Sequence, residues 1–152
     1  MKKIVFPGSF DPITIGHLDI IKRASLEYDE VIVLVANNEN KDYMFTLDER
    51  YNFVLESIKN LPNVKVAKTN GFTTDFLEEN GLDTILRSYR DNADLEYEKT
   101  LGTAYQVLMP DIKIIYYQAN EKFANISSTL VRRMILEGLD PSQYLPFKLK
   151  MA

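Results

Sequence analysis

Short apolar runs alternate with amphipathic stretches along almost the whole chain, and this alternation predicts the fold before any residue is considered for chemistry. Lys3 to Phe6 reads as a strand, followed by a loop from Pro7 to about Gly16. His17 to Tyr28 reads as a helix, with Leu18, Ile21 and Ala24 along one face. Val31 to Ala36 is unbroken, apolar and β-branched, the pattern of a strand buried on both faces of a parallel sheet. After the polar loop Asn37 to Tyr43, Thr46-Leu47-Asp48-Glu49 fits a capping box, in which the Thr46 hydroxyl and the Glu49 carboxylate satisfy unpaired backbone N–H groups. Leu47, Tyr51, Val54, Leu55 and Ile58 then supply a core-facing stripe.

The pattern repeats to the end of the chain. Val64 to Ala67 is a third strand, and Thr73 to Asn80 a short helix closed by Gly81. Thr84 to Leu86 is a fourth strand ending at Arg87, and Ala93 to Met109 a long helix stopped by Pro110. Ile112 to Tyr117 is a fifth strand, and Ser127 to Glu137 a helix ended by Gly138. The tail from Asp140 reads as a short helical turn plus an extended end. Right-handed crossovers between such β–α units predict an α/β, Rossmann-like fold, an open five-stranded parallel sheet with helices on both faces, with residues 1–152 as a single domain. In such sheets ligands bind beyond the carboxyl ends of the strands.

Composition narrows the chemistry. The chain has 152 residues, 45% of them hydrophobic and 26% charged, the balance of a water-soluble domain. Lys and Arg number 18 against 22 Asp and Glu, a net charge of −4, which argues against nucleic-acid or membrane-surface partners. Any phosphate site must therefore rest on a few local cations. With no cysteine there is no disulfide, thiolate nucleophile or Cys-based metal site, and the single histidine, His17, excludes a His-clustered metal centre. No apolar run approaches the ~20 residues that span a bilayer. The first strand meets Pro7-Gly8 too early for a signal peptide, so a cytoplasmic protein is expected.

The loop after the first strand carries the chemistry. In Pro7-Gly8-Ser9-Phe10-Asp11-Pro12-Ile13-Thr14-Ile15-Gly16-His17 the glycines permit close backbone approach and Ser9 and Thr14 offer hydroxyls. His17 falls at a helix start, where N–H groups and the macrodipole favour an anion. No Gly-Lys-Ser/Thr Walker loop is present. Arg87 and Arg90 follow a strand's carboxyl end, three residues apart, and Lys41 lies in the loop after the second strand. Converging on one crevice, these cations suit phosphates, Arg by bidentate geometry and Lys as a point charge. Ser127-Ser128-Thr129 forms a helix cap whose N–H groups and hydroxyls also suit a nucleotide phosphate.

Thr14-Ile15-Gly16-His17, preceded by Gly8-Ser9-Phe10-Asp11-Pro12, resembles the corner motif of the HxGH/TxGH nucleotidylyltransferases. Three further blocks, in order, are similar to those of the phosphopantetheine adenylyltransferases of bacteria within that superfamily. They are Lys41 with Phe45-Thr46-Leu47-Asp48-Glu49-Arg50, Arg87-Ser88-Tyr89-Arg90 with Asp94-Leu95-Glu96-Tyr97-Glu98, and Ile126-Ser127-Ser128-Thr129-Leu130-Val131. The resemblance implies transfer of the adenylyl group of ATP to 4′-phosphopantetheine, giving dephospho-coenzyme A and pyrophosphate. It implies His17, Lys41 and Arg90 as catalytic residues, with His17 and Arg90 on the ATP phosphates and Lys41 and Arg87 on the acceptor phosphate. Ser9 would orient the attacking phosphate, and Thr73 would line the pantetheine path. The nucleotide side would comprise the Phe10 backbone, Ser88, Tyr89 and Glu98, together with Phe123, Ala124, Asn125, Ile126, Ser127, Ser128 and Thr129. Mg²⁺ is expected to arrive on the ATP phosphates, without a dedicated protein metal site.

The resemblance also implies a homohexamer, a dimer of trimers, with feedback inhibition by coenzyme A. Ser88 stands where the family has glycine, so a positive φ there would strain it. Tyr105-Gln106 replaces an Asn-Arg pair, Ile15 an asparagine, and Asp42 a position often basic. Other enzymes share the Thr-x-Gly-His corner, namely nicotinate-mononucleotide adenylyltransferases and glycerol-3-phosphate cytidylyltransferases, and a non-catalytic nucleotide-binding regulator is the alternative of a different class.

Overall fold

Strands β1 (Lys3–Gly8), β2 (Glu30–Ala36), β3 (Val64–Thr69), β4 (Thr84–Tyr89) and β5 (Lys113–Gln118) form one parallel sheet in the order β3-β2-β1-β4-β5. The structure, a computed structural model, describes residues 1–150; the last two positions of the expected 1–152 domain lie outside the described residues. Helices α1 (Ile15–Glu27), α2 (Leu47–Ser57), α3 (Thr73–Glu79), α4 (Asn92–Leu108) and α5 (Ser128–Leu136) connect or follow the strands. Short 3₁₀ turns lie at Glu121–Phe123 and Ser142–Tyr144. The open five-stranded α/β sheet read from the apolar periodicity is the sheet observed. Among the described residues no helix is long and apolar enough to cross a membrane.

The period-two pleat divides the core between two faces. Ile4, Phe6, Val31, Val33 and Val35 point to one face, where α1 (Ile20, Ile21, Ala24), α2 (Val54) with its C-cap Ile58, and α5 (Val131) cover them. Val5, Leu34 and Ile85 point to the other, against Leu77 of α3 and the partly buried Tyr105 of α4. The tail does more than extend. Leu145 and Phe147 are buried in the first cluster, and the Phe147 ring stacks on Phe53 with centroids 4.2 Å apart.

Several boundaries differ from the sequence reading for physical reasons. β4 runs on through Arg87 and Ser88 to Tyr89, because Arg87, Ser88 and Tyr89 pair in register with Tyr116, Tyr117 and Gln118 of β5. Ser88 therefore has extended backbone, and the strain expected from the family's glycine is absent. The one non-glycine residue with positive φ among those described is Phe10, at 47°. β1 includes Pro7 and Gly8, and its register with β2 continues through Pro7–Leu34 and Gly8–Val35. With β4, by contrast, β1 registers only at Val5–Ile85. Pro7, with no N–H, cannot extend the pairing at the carboxyl end, where the groove lies.

The stripe on α2 is also corrected. Leu55 is exposed, and the fully buried positions on that helix are Val54 and the charged Arg50. Arg50 Nε donates to the Phe45 carbonyl at 3.1 Å, and its Nη1 donates to the carbonyls of Ser9 at 3.0 Å and Ala36 at 3.1 Å. Nη2 bonds the Asn37 side chain, and the guanidinium lies over the Tyr43 ring, 3.9 Å from its centroid. A buried cation is tolerable only when so many acceptors replace its water.

Two stability measurements check these assignments. Leu34→Ala removes a fully buried side chain from β2 and should cost ~2–5 kcal/mol in urea unfolding. Ser88→Gly should lower stability by ~0.5–1 kcal/mol, because glycine in a strand only adds chain entropy to the unfolded state; a rise in melting temperature would restore the strained-turn expectation.

Candidate active site

Three cavities lie side by side over the carboxyl ends of β1 and β4. The largest, about 650 Å³, is bordered by Ser9, Lys41, Thr73 and Arg87, with Asn37, Asn70, Phe72 and Tyr105. A second, about 460 Å³, is bordered by His17, Ser88, Tyr89 and Arg90, with the α5 start at Ser127, Ser128 and Thr129 and with Phe123 and Ile126. Between them is a smaller one of about 160 Å³, lined by Pro7, Gly8, Ser9, Phe10, His17, Arg87, Ser88 and Glu98. It shares Ser9 and Arg87 with the first and His17 and Ser88 with the second. One elongated groove thus has a cationic compartment at each end and an imidazole at its waist.

His17 is not the first residue of its helix but the third, and this decides its chemistry. Thr14 caps α1: its Oγ1 accepts from the His17 N–H at 3.4 Å, and its own N–H donates to His17 Nδ1 at 3.0 Å. An Nδ1 that accepts a backbone N–H cannot carry a proton, so the neutral ring is the Nε2–H tautomer. Burial pushes the His17 pKa down from 6.5 to about 4. The Phe10 ring packs edge-on against the imidazole, with centroids 5.2 Å apart. The waist therefore holds a neutral, oriented N–H donor.

The cations differ in how firmly they are held. Arg87 makes a bidentate pair with Glu98 of α4, Nε to Oε2 at 2.8 Å and Nη2 to Oε1 at 3.0 Å, and the rest of the guanidinium faces the groove. Burial opposes the Arg87 charge, but the Glu98 carboxylate outweighs it and holds the guanidinium above its ordinary pKa. Glu98 is thus the partner of Arg87 and borders the waist beside His17 and Ser88 rather than the larger nucleotide-side cavity. Arg90 bonds Asp94 through Nε at 2.9 Å, and the hydrogen bond holds the Asp94 carboxyl below its ordinary pKa. Lys41 is exposed, with Nζ 3.5 Å from Ser9 Oγ. Its loop gives it reach.

The α5 hydroxyls are mostly engaged. Ser127 Oγ caps the helix by accepting from the Leu130 N–H at 3.0 Å, and Ser128 Oγ donates to the Pro12 carbonyl at 2.7 Å. What α5 offers the second cavity is therefore its amino-terminal end more than its serine side chains. Ala124 and Asn125 were expected here too, but Phe123 and Ile126 border the cavity and these two do not. Sequence reading missed Arg50, whose signal was its position three residues after Leu47 and four before Val54. Among the described residues no group of three or more His, Cys, Asp or Glu is gathered to hold a metal ion.

A two-ended cationic groove over the carboxyl ends of β1 and β4, with a Thr-x-Gly-His helix start at its waist, defines a nucleotidyl-transfer site of the Rossmann-like class. Residues 5–134 match the cytidylyltransferase-like family, and the chain belongs to it and, within it, to the phosphopantetheine adenylyltransferases. It is 42% identical over 144 residues to a phosphopantetheine adenylyltransferase of Tolumonas auensis, covering 95% of this chain and 88% of that one. To one of Christiangramia forsetii it is 45% identical over 139 residues, 91% of each chain. In fold it is similar to a putative nicotinate-nucleotide adenylyltransferase from Vibrio parahaemolyticus, with a TM-score of 0.66 at 23% identity over 95% of this chain and 94% of that one.

The neutral imidazole gives a direct test. An NMR titration of the single histidine should find its midpoint at about 4, with nitrogen shifts of the Nε2–H tautomer above it. The fold prefers the uncharged ring, so this contribution to stability is complete above pH 6.5 and is lost as pH falls towards about 4. A midpoint near 6.5 would show a hydrated rather than a buried imidazole.

Proposed function

We propose that this chain is a pantetheine-phosphate adenylyltransferase that transfers the adenylyl group of ATP to 4′-phosphopantetheine, releasing pyrophosphate. The observation that carries the reading is the two-ended groove with His17 at its waist, in a chain of this family. The larger cavity takes the acceptor: Lys41 and Arg87 bind its phosphate and Thr73 lines the path of its arm. The second takes ATP, with Arg90 and the α5 start on the phosphates and Ser88 and Tyr89 along the nucleotide. Ser9 and the Phe10 backbone lie where the two substrates meet.

The chemistry needs alignment more than acid–base catalysis. An acceptor phosphate oxygen, already ionised, attacks the α-phosphorus, the bond to the β-phosphate oxygen breaks, and pyrophosphate leaves. His17 Nε2–H donates to oxygens whose charge grows during attack, and its neutrality means no proton has to be lost first. Lys41, on its exposed loop, follows the transferred group. Mg²⁺ would arrive with ATP and offset phosphate charge; the one carboxylate bordering the nucleotide cavity, Asp94, is engaged by Arg90. A cytoplasmic homohexamer inhibited by coenzyme A belongs to this reading, and the exposed Tyr97 and Val107 of α4 offer apolar surface for assembly.

Two assays test the reading. In a pyrophosphate-release assay with ATP, 4′-phosphopantetheine should turn over and unphosphorylated pantetheine should not; equal turnover of the two, or a preference for CTP or nicotinate mononucleotide, would reject it. His17→Ala should lower kcat by ~10²–10³, the usual cost of one preorganised donor, with much less effect on substrate binding. Near-normal kcat with a large loss of ATP affinity would make His17 a binding residue only.

A further inference from the structure

The strained point of the groove is anchored from both ends by arginines that do not themselves border any of its three cavities. Phe10 has φ 47°, a left-handed conformation that a bulky side chain holds only under constraint from its surroundings. The peptide plane before it is fixed by Arg50, whose Nη1 donates to the Ser9 carbonyl at 3.0 Å. The residue after it is fixed by Arg132 of α5, whose Nη1 donates to the Asp11 carbonyl at 2.8 Å. The Asp11 carboxylate, itself buried, accepts from the N–H groups of Met44 and Phe45, both at 2.9 Å. The turn thus reports to both compartments. Arg50 and the 44–45 backbone belong to the segment that carries Lys41, and Arg132 to the helix whose start borders the nucleotide cavity.

The turn in turn orients the imidazole. With φ at 47° the Phe10 ring packs edge-on against Phe6, with centroids 5.4 Å apart, and against His17 at 5.2 Å. Gly8 leaves room for it: a Cβ there would meet the ring at 3.0 Å. Relaxing Phe10 to an ordinary φ would move the ring off His17 and shift the Ser9 carbonyl at the waist.

We propose that Arg50 and Arg132 are positioning residues for adenylyl transfer, holding the Ser9–Asp11 turn so that the Phe10 ring sets the imidazole of His17 on the reacting phosphorus. The inference rests on the function proposed above, but its structural half can be read without turnover. His17 is the only histidine, so its ring protons form a single resolvable set in the NMR spectrum, shifted by the current of the Phe10 ring.

The experiment compares Arg132→Met, Arg132→Lys and Arg50→Lys with the parent by steady-state kinetics, thermal melting and the His17 resonances. Arg132 is on the surface side of the turn, so its variants report even if Arg50→Lys does not fold. Arg132→Met should displace the His17 ring protons and lower kcat by ~10²-fold, the scale of a small misplacement at a reacting centre, with KM for both substrates near the parent values. Arg132→Lys, which can still reach the Asp11 carbonyl, should recover part of both. Unmoved His17 resonances, a kcat that falls only with the folded fraction, or a rise in KM with kcat intact would overturn the proposal. If the parent enzyme adenylylates no phosphopantetheine, the function proposed above fails, while the resonances still decide whether the arginines set the imidazole.

Discussion

β1 stays in register with β2 along its whole length but registers with β4 at a single pair, Val5–Ile85, so the centre of the sheet is loosely joined there, and Pro7, which has no N–H, adds nothing to the pairing at the carboxyl end. The waist of the groove lies beyond Val5–Ile85, bordered by Pro7 and Gly8 on one side and Arg87 and Ser88 on the other. A proline in a central strand is ordinarily a defect, since it denies a neighbour a hydrogen bond. Here it borders the site. Strand order reverses at the same place, so successive connections leave β1 and β4 on different sides and no crossover roofs the gap.

On the proposed function, an acidic chain would bind two phosphate-bearing substrates in that gap, and the structure pairs its cations with carboxylates that aim them. Glu98 holds Arg87 and Asp94 holds Arg90, so each guanidinium meets its ligand already oriented and with less side-chain entropy left to lose. Lys41 alone is left on a loop. In the proposed reaction, two carboxylate-paired cations and one on an exposed loop would suit two phosphate groups that stay in place and one that is transferred.

Much of this was legible in the residues. β2 announced itself by six consecutive apolar positions, α2 by its capping box, and the corner by Thr14-Ile15-Gly16-His17. What was hidden falls into two kinds. Where a side chain's role is set by a partner distant in sequence, periodicity is silent: the helix pattern gives no sign that Glu98 lies within 2.8 Å of Arg87, nor that four carbonyl and amide oxygens close round Arg50. Where local propensity and pairing disagree, pairing wins. Ser88 and Tyr89 follow a charged Arg87 and read as a loop, yet β5 takes them into the sheet. The family's glycine at position 88 likewise suggested strain there, while the strain is carried by Phe10, at a position where nothing in the residue type gives notice.

The capping box of α1 leaves Thr14 in an unusual bind. The same residue starts the helix and, through its N–H, dictates which nitrogen of His17 carries the proton. A serine in its place keeps both offices, whereas an apolar residue uncaps the helix, and a proline removes the very N–H that fixes the tautomer. One residue thus sets two things through two different groups: its hydroxyl starts the helix, and its backbone N–H sets the imidazole tautomer. An apolar residue there would cost the cap and leave the tautomer, whereas proline would cost both, so the two contributions of Thr14 can be separated by mutation.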